Sequence, residues 1–360
     1  MRDAKTLRVL DTGLRRAAEN MALNRALLES HQAGTSPHTL RFLRFTPSAL
    51  LGFHQDVEQE LRTDYCAEHG IDIQRRITGG GAIYFDETQI GWELYLDKAF
   101  LGTADMGAIA RKICEAAAEG ISALGVDARY RPRNDIEVDG RKISGTGGAF
   151  DGDSIMYQGT LLIDFDVERM LRVLRIPAEK LSDKAIESAR DRVANLKDLL
   201  GGNMPSFDEV QKRLAESFAR AFDVKLEWAD AMNAAEEGAF QEALAEIDTP
   251  EWIYQHNRPA TDATMREAIT RSQGGTMRVG VAVDPARNQL KQLWITGDFF
   301  VKPQRLVVDL EGALRNTPIE ALEANVKAFF EAHPAEMLML TPEDFVTAIR
   351  AALDAEEARA

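Results

Sequence analysis

Apolar positions along the chain repeat with two periods. A spacing of three and four residues predicts an amphipathic helix over Leu14 to His31, with Leu14, Ala17, Ala18, Met21 and Leu28 on one face. Short apolar runs of strand length follow at Leu40 to Phe45, Ala49 to Phe53, Ile71 to Gln74, Ala82 to Phe85 and Trp92 to Leu96, each bounded by glycine, proline or polar residues. A helical stripe then returns in Ile109, Ile113, Ala117, Ile121 and Leu124. Asp139-Gly140 separates Ile136–Val138 from Arg141–Ile143, the strongest short hairpin signal in the chain, and a further strand fits Ile155 to Phe165. From Val167 the pattern is helical through Val193, and again from Phe207 to Phe222. Together these predict an α+β fold, a mixed and mostly antiparallel sheet packed with helices. A break at Asp248-Thr249-Pro250 precedes a second set of elements: strands at Gly275 to Val283 and Gln289 to Ile295, then helices at Leu306 to Arg315 and Ile319 to Ala332. A large domain over 1–248 and a small α+β domain over 249–360 are therefore expected.

Composition narrows the function classes. Against 43 Lys+Arg stand 58 Asp+Glu, a formal charge of −15, which argues against nucleic acid or an anionic membrane as a partner. Any anion site must be local. No stretch is long and apolar enough to span a bilayer, and Met1-Arg2-Asp3-Ala4-Lys5 leads into no signal-peptide core, so a cytoplasmic enzyme is expected. Cys66 and Cys114 lie far apart and in no metal-ligand spacing; Cys114 falls in the apolar stripe and reads as core packing. No tightly bound metal is expected.

Four segments carry candidate chemistry. In Arg75-Arg76-Ile77-Thr78-Gly79-Gly80-Gly81-Ala82-Ile83, three glycines expose backbone N–H groups and permit positive φ, an arrangement that cradles anions beside two guanidinium forks. A glycine-rich turn with solvated arginines explains the same residues. In Asn134-Asp135 through Gly148, a two-residue hairpin sets Lys142 opposite Glu137, where a cross-strand ion pair is the plain reading. Ser144 and a second glycine-rich turn after Lys142 instead suit an ammonium that meets a carboxylate and a phosphate. Gly159 in Met156-Tyr157-Gln158-Gly159-Thr160-Leu161-Leu162 permits close approach of a ligand, or marks a bulge. Helical spacing places Lys184, Ser188, Arg192 and Asn195 on one face, which surface solvation also explains.

In order and spacing these segments resemble the lipoate-protein ligase A family within the biotin/lipoate ligase-like superfamily. The likeness rests on the two arginines and three glycines of Arg75 to Ala82, on Asn134 to Gly145, on Gly159 to Leu162 and on Ser188 to Leu196. The segment from Trp252 onward, with Trp294-Ile295-Thr296-Gly297-Asp298-Phe299-Phe300 near its centre, resembles the family's C-terminal accessory domain. The resemblance implies a catalytic domain over 1–248, and a reaction in which lipoate or octanoate attacks the α-phosphate of ATP and a carrier lysine then displaces AMP. It also implies the roles. Lys142 would meet the acyl carboxylate and the adenylate phosphate. Arg75 and the backbone of Thr78, Gly79, Gly80, Gly81, Ala82 and Ile83 would line the acyl and phosphate site. Asn134 and Asp135 would hold nucleotide or Mg²⁺, and Ser144, Gly145, Gly147, Thr160 and Leu162 would border the adenylate. The run from Lys180 to Asn195, with Lys184, Ser188 and Arg192, would form a flap. Expected partners are lipoyl carrier proteins: lipoyl domains of dehydrogenase complexes, the glycine cleavage H protein, or an H-like lipoate-binding protein. Phe85, Tyr157-Gln158 and Gly91-Trp92 depart from the family pattern and border the expected pocket. Rival readings are an octanoyl- or lipoyltransferase of the same fold, which needs an accessible thiolate, and a non-catalytic adaptor. A biotin ligase would show a Gly-Arg-Gly-Arg-Arg-Gly loop, which is absent.

Overall fold

A computed structural model describes residues 5–103, 105–132, 134–175, 183–257 and 264–355. Their contacts divide into two compact units. The first takes Met1–Ala49, Arg62–Gln74 and Tyr84–Thr249; the second takes Pro250–Ala360 together with Leu50–Leu61 and Arg75–Ile83.

The first unit is built on an eight-stranded sheet. Its strands are β1 (Thr6–Arg15), β2 (Thr39–Phe45), β3 (Gln89–Asp97), β4 (Ala128–Arg131), β5 (Asp135–Val138), β6 (Arg141–Asp151), β7 (Ser154–Leu162) and β8 (Lys225–Ala229). They lie in the order β8-β1-β2-β3-β7-β6-β5-β4. The pairs β8–β1 and β1–β2 are parallel and the rest antiparallel, so the sheet is mixed and mostly antiparallel as expected. Helices α1 (Ala17–Gln32), α2 (Met106–Ser122), α3 (Asp183–Arg190), α4 (Phe207–Phe222) and α5 (Ala234–Ile247), with shorter helices between them, also belong to the unit. Trp92, Leu94, Tyr157 and Leu161 share one core with Ile113, Cys114 and Phe218 of α2 and α4. Residues of β2 and β3 that alternate to the other face meet α1: Arg41 Nη1 lies 2.9 Å from Glu93 Oε2, and Asn24 and Tyr95 also donate to the Glu93 carboxylate. That polar seam is fully buried, which ties α1 to one register, because removing either charge strands the other at about 3–5 kcal/mol.

The expected first helix begins too early. Thr6–Arg15 is strand, and α1 starts at Ala17. Leu7, Val9 and Leu10 are buried because β1 is flanked on both sides by parallel partners, one of them more than 200 residues away, and no local period reports such pairing. The partner strand β8 is missed for the same reason.

In the second unit, β9 (Arg266–Ser272), β10 (Gly275–Asp284) and β11 (Gln289–Gly297) form an antiparallel sheet in that order. Helices α6 (Leu306–Ala313), α7 (Leu322–Ala332) and α8 (Pro342–Asp354) cover it around Val281, Leu310, Phe345 and Ile349. Strands β10 and β11 and the first two helices match the sequence reading; β9 and α8 are additions. Among the described residues no helix is long and apolar enough to cross a membrane.

Candidate functional site

The hairpin β5–β6 turns at Asp139 (φ 51°) and Gly140 (φ 75°), the pair of positive angles that a two-residue hairpin of this twist requires. The register sets Glu137 opposite Lys142, as predicted, but the expected ion pair between them does not form. Lys142 Nζ instead lies 2.8 Å from Asp135 Oδ1. Two local features redirect it. The pairing slips between Ile136 and Glu137, and the residue opposite Asp135 is Gly145, where a Cβ would lie 2.9 Å from both Cε and Nζ of the lysine. Glycine leaves the lane that the lysine stem runs through. Asp135 Oδ2 accepts from Arg131 Nη2 at 2.6 Å, and the other side of that guanidinium lies 3.2 Å from Glu137. Burial pushes the Asp135 carboxyl up, yet hydrogen bonds and charge from Lys142 and Arg131 outweigh it and hold the group below its ordinary value. Arg131 has no place in the sequence reading; its spacing of four from Asp135 is the signal that could have suggested it.

The main chain of Lys142 is equally constrained. Its N–H donates to the Arg192 carbonyl and its carbonyl accepts from Ala194 N–H, each at 2.8 Å, so the stretch following α3 is bridged to the lysine itself. Ser188 and Arg192 are exposed. Lys184 falls within α3, while Lys180–Ser182 and the side chain of Lys184 lie outside the described residues.

Asn134 is held against β6: its carbonyl accepts from Thr146 N (2.8 Å) and Thr146 Oγ1 (3.0 Å), and its amide donates to the Thr146 carbonyl at 3.2 Å. Gly145 N–H donates to Thr160 Oγ1 at 3.3 Å, and Gly147, opposite Gln158, has nothing within 4 Å of where a Cβ would stand. Lys142, Asp135, Gly145, Gly147 and Thr160 are thus partly accessible. Ser144 and Leu162 are not: both are buried, and the Ser144 hydroxyl has no hydrogen-bond partner among the described residues.

Arg75 is expected to line the acyl and phosphate site. Its side chain is fully buried and donates to the carbonyls of Gly52, Phe53, Gln55, Trp252 and Ile253. A guanidinium with five N–H groups can satisfy a knot of chain turns that no single backbone group could. Arg76 does the same for Leu50, Gly79 and Gly81. Burial lowers them to about 9 and about 10 respectively. Both therefore shape the loop. Within it Thr78 is buried, Gly79, Gly80 and Ala82 are half-buried, and Gly81 and Ile83 are exposed.

Residues 16–219 match the family described as lipoyl protein ligase A/B catalytic domain. The chain belongs to that family. Among curated relatives of this lipoyl ligase family, lipoate-protein ligase A subunit 1 of Thermoplasma acidophilum is 30% identical over 244 residues, covering 65% of the chain and 90% of the relative. Octanoyltransferase LipM of Kyrpidia tusciae is 28% identical, covering 70% and 99%. Among solved structures, a lipoate-protein ligase A bound with ATP superposes with a TM-score of 0.60 at 26% identity over 71% of the chain and 100% of that structure. P. falciparum LipL1 in complex with lipoate shares the fold over 96% of the chain and 99% of its own, with a TM-score of 0.71 at 18% identity. The lipoyl ligase/octanoyltransferase family thus holds enzymes of two kinds among the relatives of this chain. The chain has two cysteines, and both are fully buried. Burial pushes the Cys66 thiol up to about 11. Cys114 is also raised by burial, which outweighs its contacts with Thr146 Oγ1 (3.4 Å) and the Tyr157 hydroxyl (3.3 Å).

Proposed function

We propose that this chain is an ATP-dependent ligase that attaches lipoate or octanoate to a specific lysine of a lipoyl carrier protein through an acyl-adenylate. The observation that carries the reading is the state of the thiols. A transferase of this family kind must form a thioester, which needs a reachable thiolate, and here both thiols are buried and held protonated. The side chain of Lys142, by contrast, is 40% exposed. The ATP-bound ligase relative supports the choice of co-substrate.

In the first step a carboxylate oxygen of the acid attacks the α-phosphorus of ATP, and the bond to pyrophosphate breaks. In the second, the amine of the carrier lysine attacks the acyl carbon, loses a proton and expels AMP. Both steps build negative charge on oxygen, so positioned cations and backbone donors suffice. Lys142 serves both, touching the acyl carboxylate oxygen and the phosphate. In the ligand-free protein Asp135 parks the lysine. A single carboxylate beside a nucleotide site fits Mg²⁺, which commonly takes one or two carboxylates and completes its shell with phosphates and water. Asp135 would hold that ion, which would supply neutralisation of phosphate charge. Asn134, Gly145, Gly147 and Thr160 border the adenylate, and Arg192 with Ser188 and Lys184 belongs to a segment that covers it. The N–H groups of Gly81, Ala82 and Ile83 are the phosphate donors of the glycine loop, backed by Thr78, Gly79 and Gly80. Residues 1–248 act as the catalytic domain, with 249–360 accessory to it. The carrier is a lipoyl domain of a dehydrogenase complex, a glycine cleavage H protein or an H-like protein, and the setting is the cytoplasm.

The test incubates protein, ATP-Mg²⁺, lipoate and an apo-carrier, and follows AMP by chromatography and the carrier by mass. Stoichiometric AMP and a lipoyl mass increase are expected. Acyl transfer from octanoyl-acyl carrier protein without ATP would replace the ligase with a transferase, and carrier binding with neither product would leave an adaptor.

A further inference from the structure

Two of the three glycines of the loop are required, for different reasons, and one reason comes from the C-terminal part of the same unit. Gly80 adopts φ 95°, a backbone state that other residues rarely take. At Gly79 a Cβ would collide with the carbonyl oxygen of Phe299, and at Gly80 it would lie 3.3 Å from Cζ of Phe300. At Gly81 it would meet nothing within 4 Å. Gln304 Nε2 donates to the Ile77 carbonyl just upstream. Behind the loop, Gly52 has no Cβ because the Gly80 carbonyl occupies that space. The loop is therefore pressed between Gly52 and Phe299–Phe300.

The pressing surface is itself fixed. Phe299 is fully buried, stacked on His54 at 4.9 Å and edge-on to Phe345. The carbonyl of Phe300 accepts from Leu338 N–H, and Gly297 N–H donates to the His54 carbonyl. A rigid core thus presents the half-buried Phe300 ring to a segment whose own side chains are hydrogen atoms and can hold nothing.

We propose that Phe300 is a positioning residue for the glycine loop, with Gln304 as its second anchor: the ring backs Gly80 and the amide holds Ile77, so that Gly81 to Ile83 keep a fixed phosphate-facing geometry. The inference rests on the reading of this loop as the nucleotide phosphate site. Loss of backing loosens donors that must be preset, which weakens nucleotide binding before it touches the chemistry that Lys142 performs.

The experiment compares wild type with Phe300→Ala, Phe300→Leu and Gln304→Ala in the full chain. Amide hydrogen exchange is followed over peptides spanning 76–84, and KM for ATP and kcat are measured. In Phe300→Ala the loop amides exchange faster and KM for ATP rises roughly tenfold with kcat near wild type; Phe300→Leu, which keeps an apolar filler, returns toward wild type. Gln304→Ala shows a smaller change of the same kind, and it carries the test if Phe300→Ala does not fold. Unchanged loop exchange and unchanged KM in these variants overturn the proposal, as does a fall in kcat alone. If wild type releases no AMP, the ligase reading fails, and loop exchange alone decides whether Phe300 positions the segment.

Discussion

Removing every sulfur nucleophile tests the ligase directly, through Cys66→Ala combined with Cys114→Ala. Each substitution deletes one fully buried sulfur. The lost transfer energy is about 1 kcal/mol per site, and an unfilled space the size of one sulfur adds roughly half as much again. Hydrogen bonding adds little at position 114, because Thr146 Oγ1 and the Tyr157 hydroxyl remain 3.2 Å apart and keep each other as partners. The double variant should therefore lose about 3 kcal/mol and melt roughly 5–10 °C lower, while staying folded at 25 °C. Assayed there for AMP and carrier mass, its turnover should remain within about threefold of wild type, since no covalent enzyme intermediate exists to lose. A folded variant whose acyl transfer falls about a hundredfold or more would refute the reasoning and put a thioester in the pathway.

Three further outcomes follow from particular contacts. Lys142→Ala should lower AMP release and carrier acylation by about 10²–10³-fold, as loss of a charge-stabilising group does, while the melting curve barely moves because Asp135 keeps Arg131; equal activity in the variant would remove the lysine from the mechanism. Buried Glu236 binds Arg8 and Ser36, and these contacts, with the backbone N–H of Asn233, overcome burial and depress its pKa below the ordinary 4.5. A depressed acid contributes stability above its unfolded value and loses it as pH falls, so the melting advantage of wild type over Glu236→Gln should be full at neutral pH and shrink below about 4.5; an advantage that grows on acidification would contradict the pairing. Gly159→Ala would push a Cβ into the buried indole of Trp92, 2.8 Å from its Nε1, at about 1–3 kcal/mol; denaturant unfolding with an unchanged midpoint would show that the ring can yield.

What could be read from the chain alone followed the range of the interaction. The hairpin at Asp139-Gly140 was legible because a two-residue turn dictates its own dihedral angles and its own register. Helix Phe207–Phe222 was legible because one amphipathic stripe spans the whole element. Strand β1 was not, since its burial depends on a partner at the far end of the unit. The site divided likewise. Register placed Lys142 opposite Glu137, but which carboxylate receives the ammonium depended on a slip in pairing and on the missing side chain of Gly145. Arg75 drew attention as a free cation because composition reports charge and not surroundings; five carbonyls from two distant stretches consume it. Cys114 was assigned correctly to the core by periodicity, yet its contacts with Thr146 and Tyr157 emerged only when β6 and β7 were brought beside α2.

The bonds of Arg75 bear on how this chain can be divided. Thr249-Pro250 is the inviting place to cut, since local composition changes there and a compact first unit ends there. Yet the carbonyls of Trp252 and Ile253, the aromatic backing of Gly80 and the amide that steadies Ile77 all lie beyond it. A fragment ending at Thr249 would keep the glycine-rich segment in its sequence while discarding the mould in which that segment sets, so covalent boundaries and functional ones do not coincide in this protein.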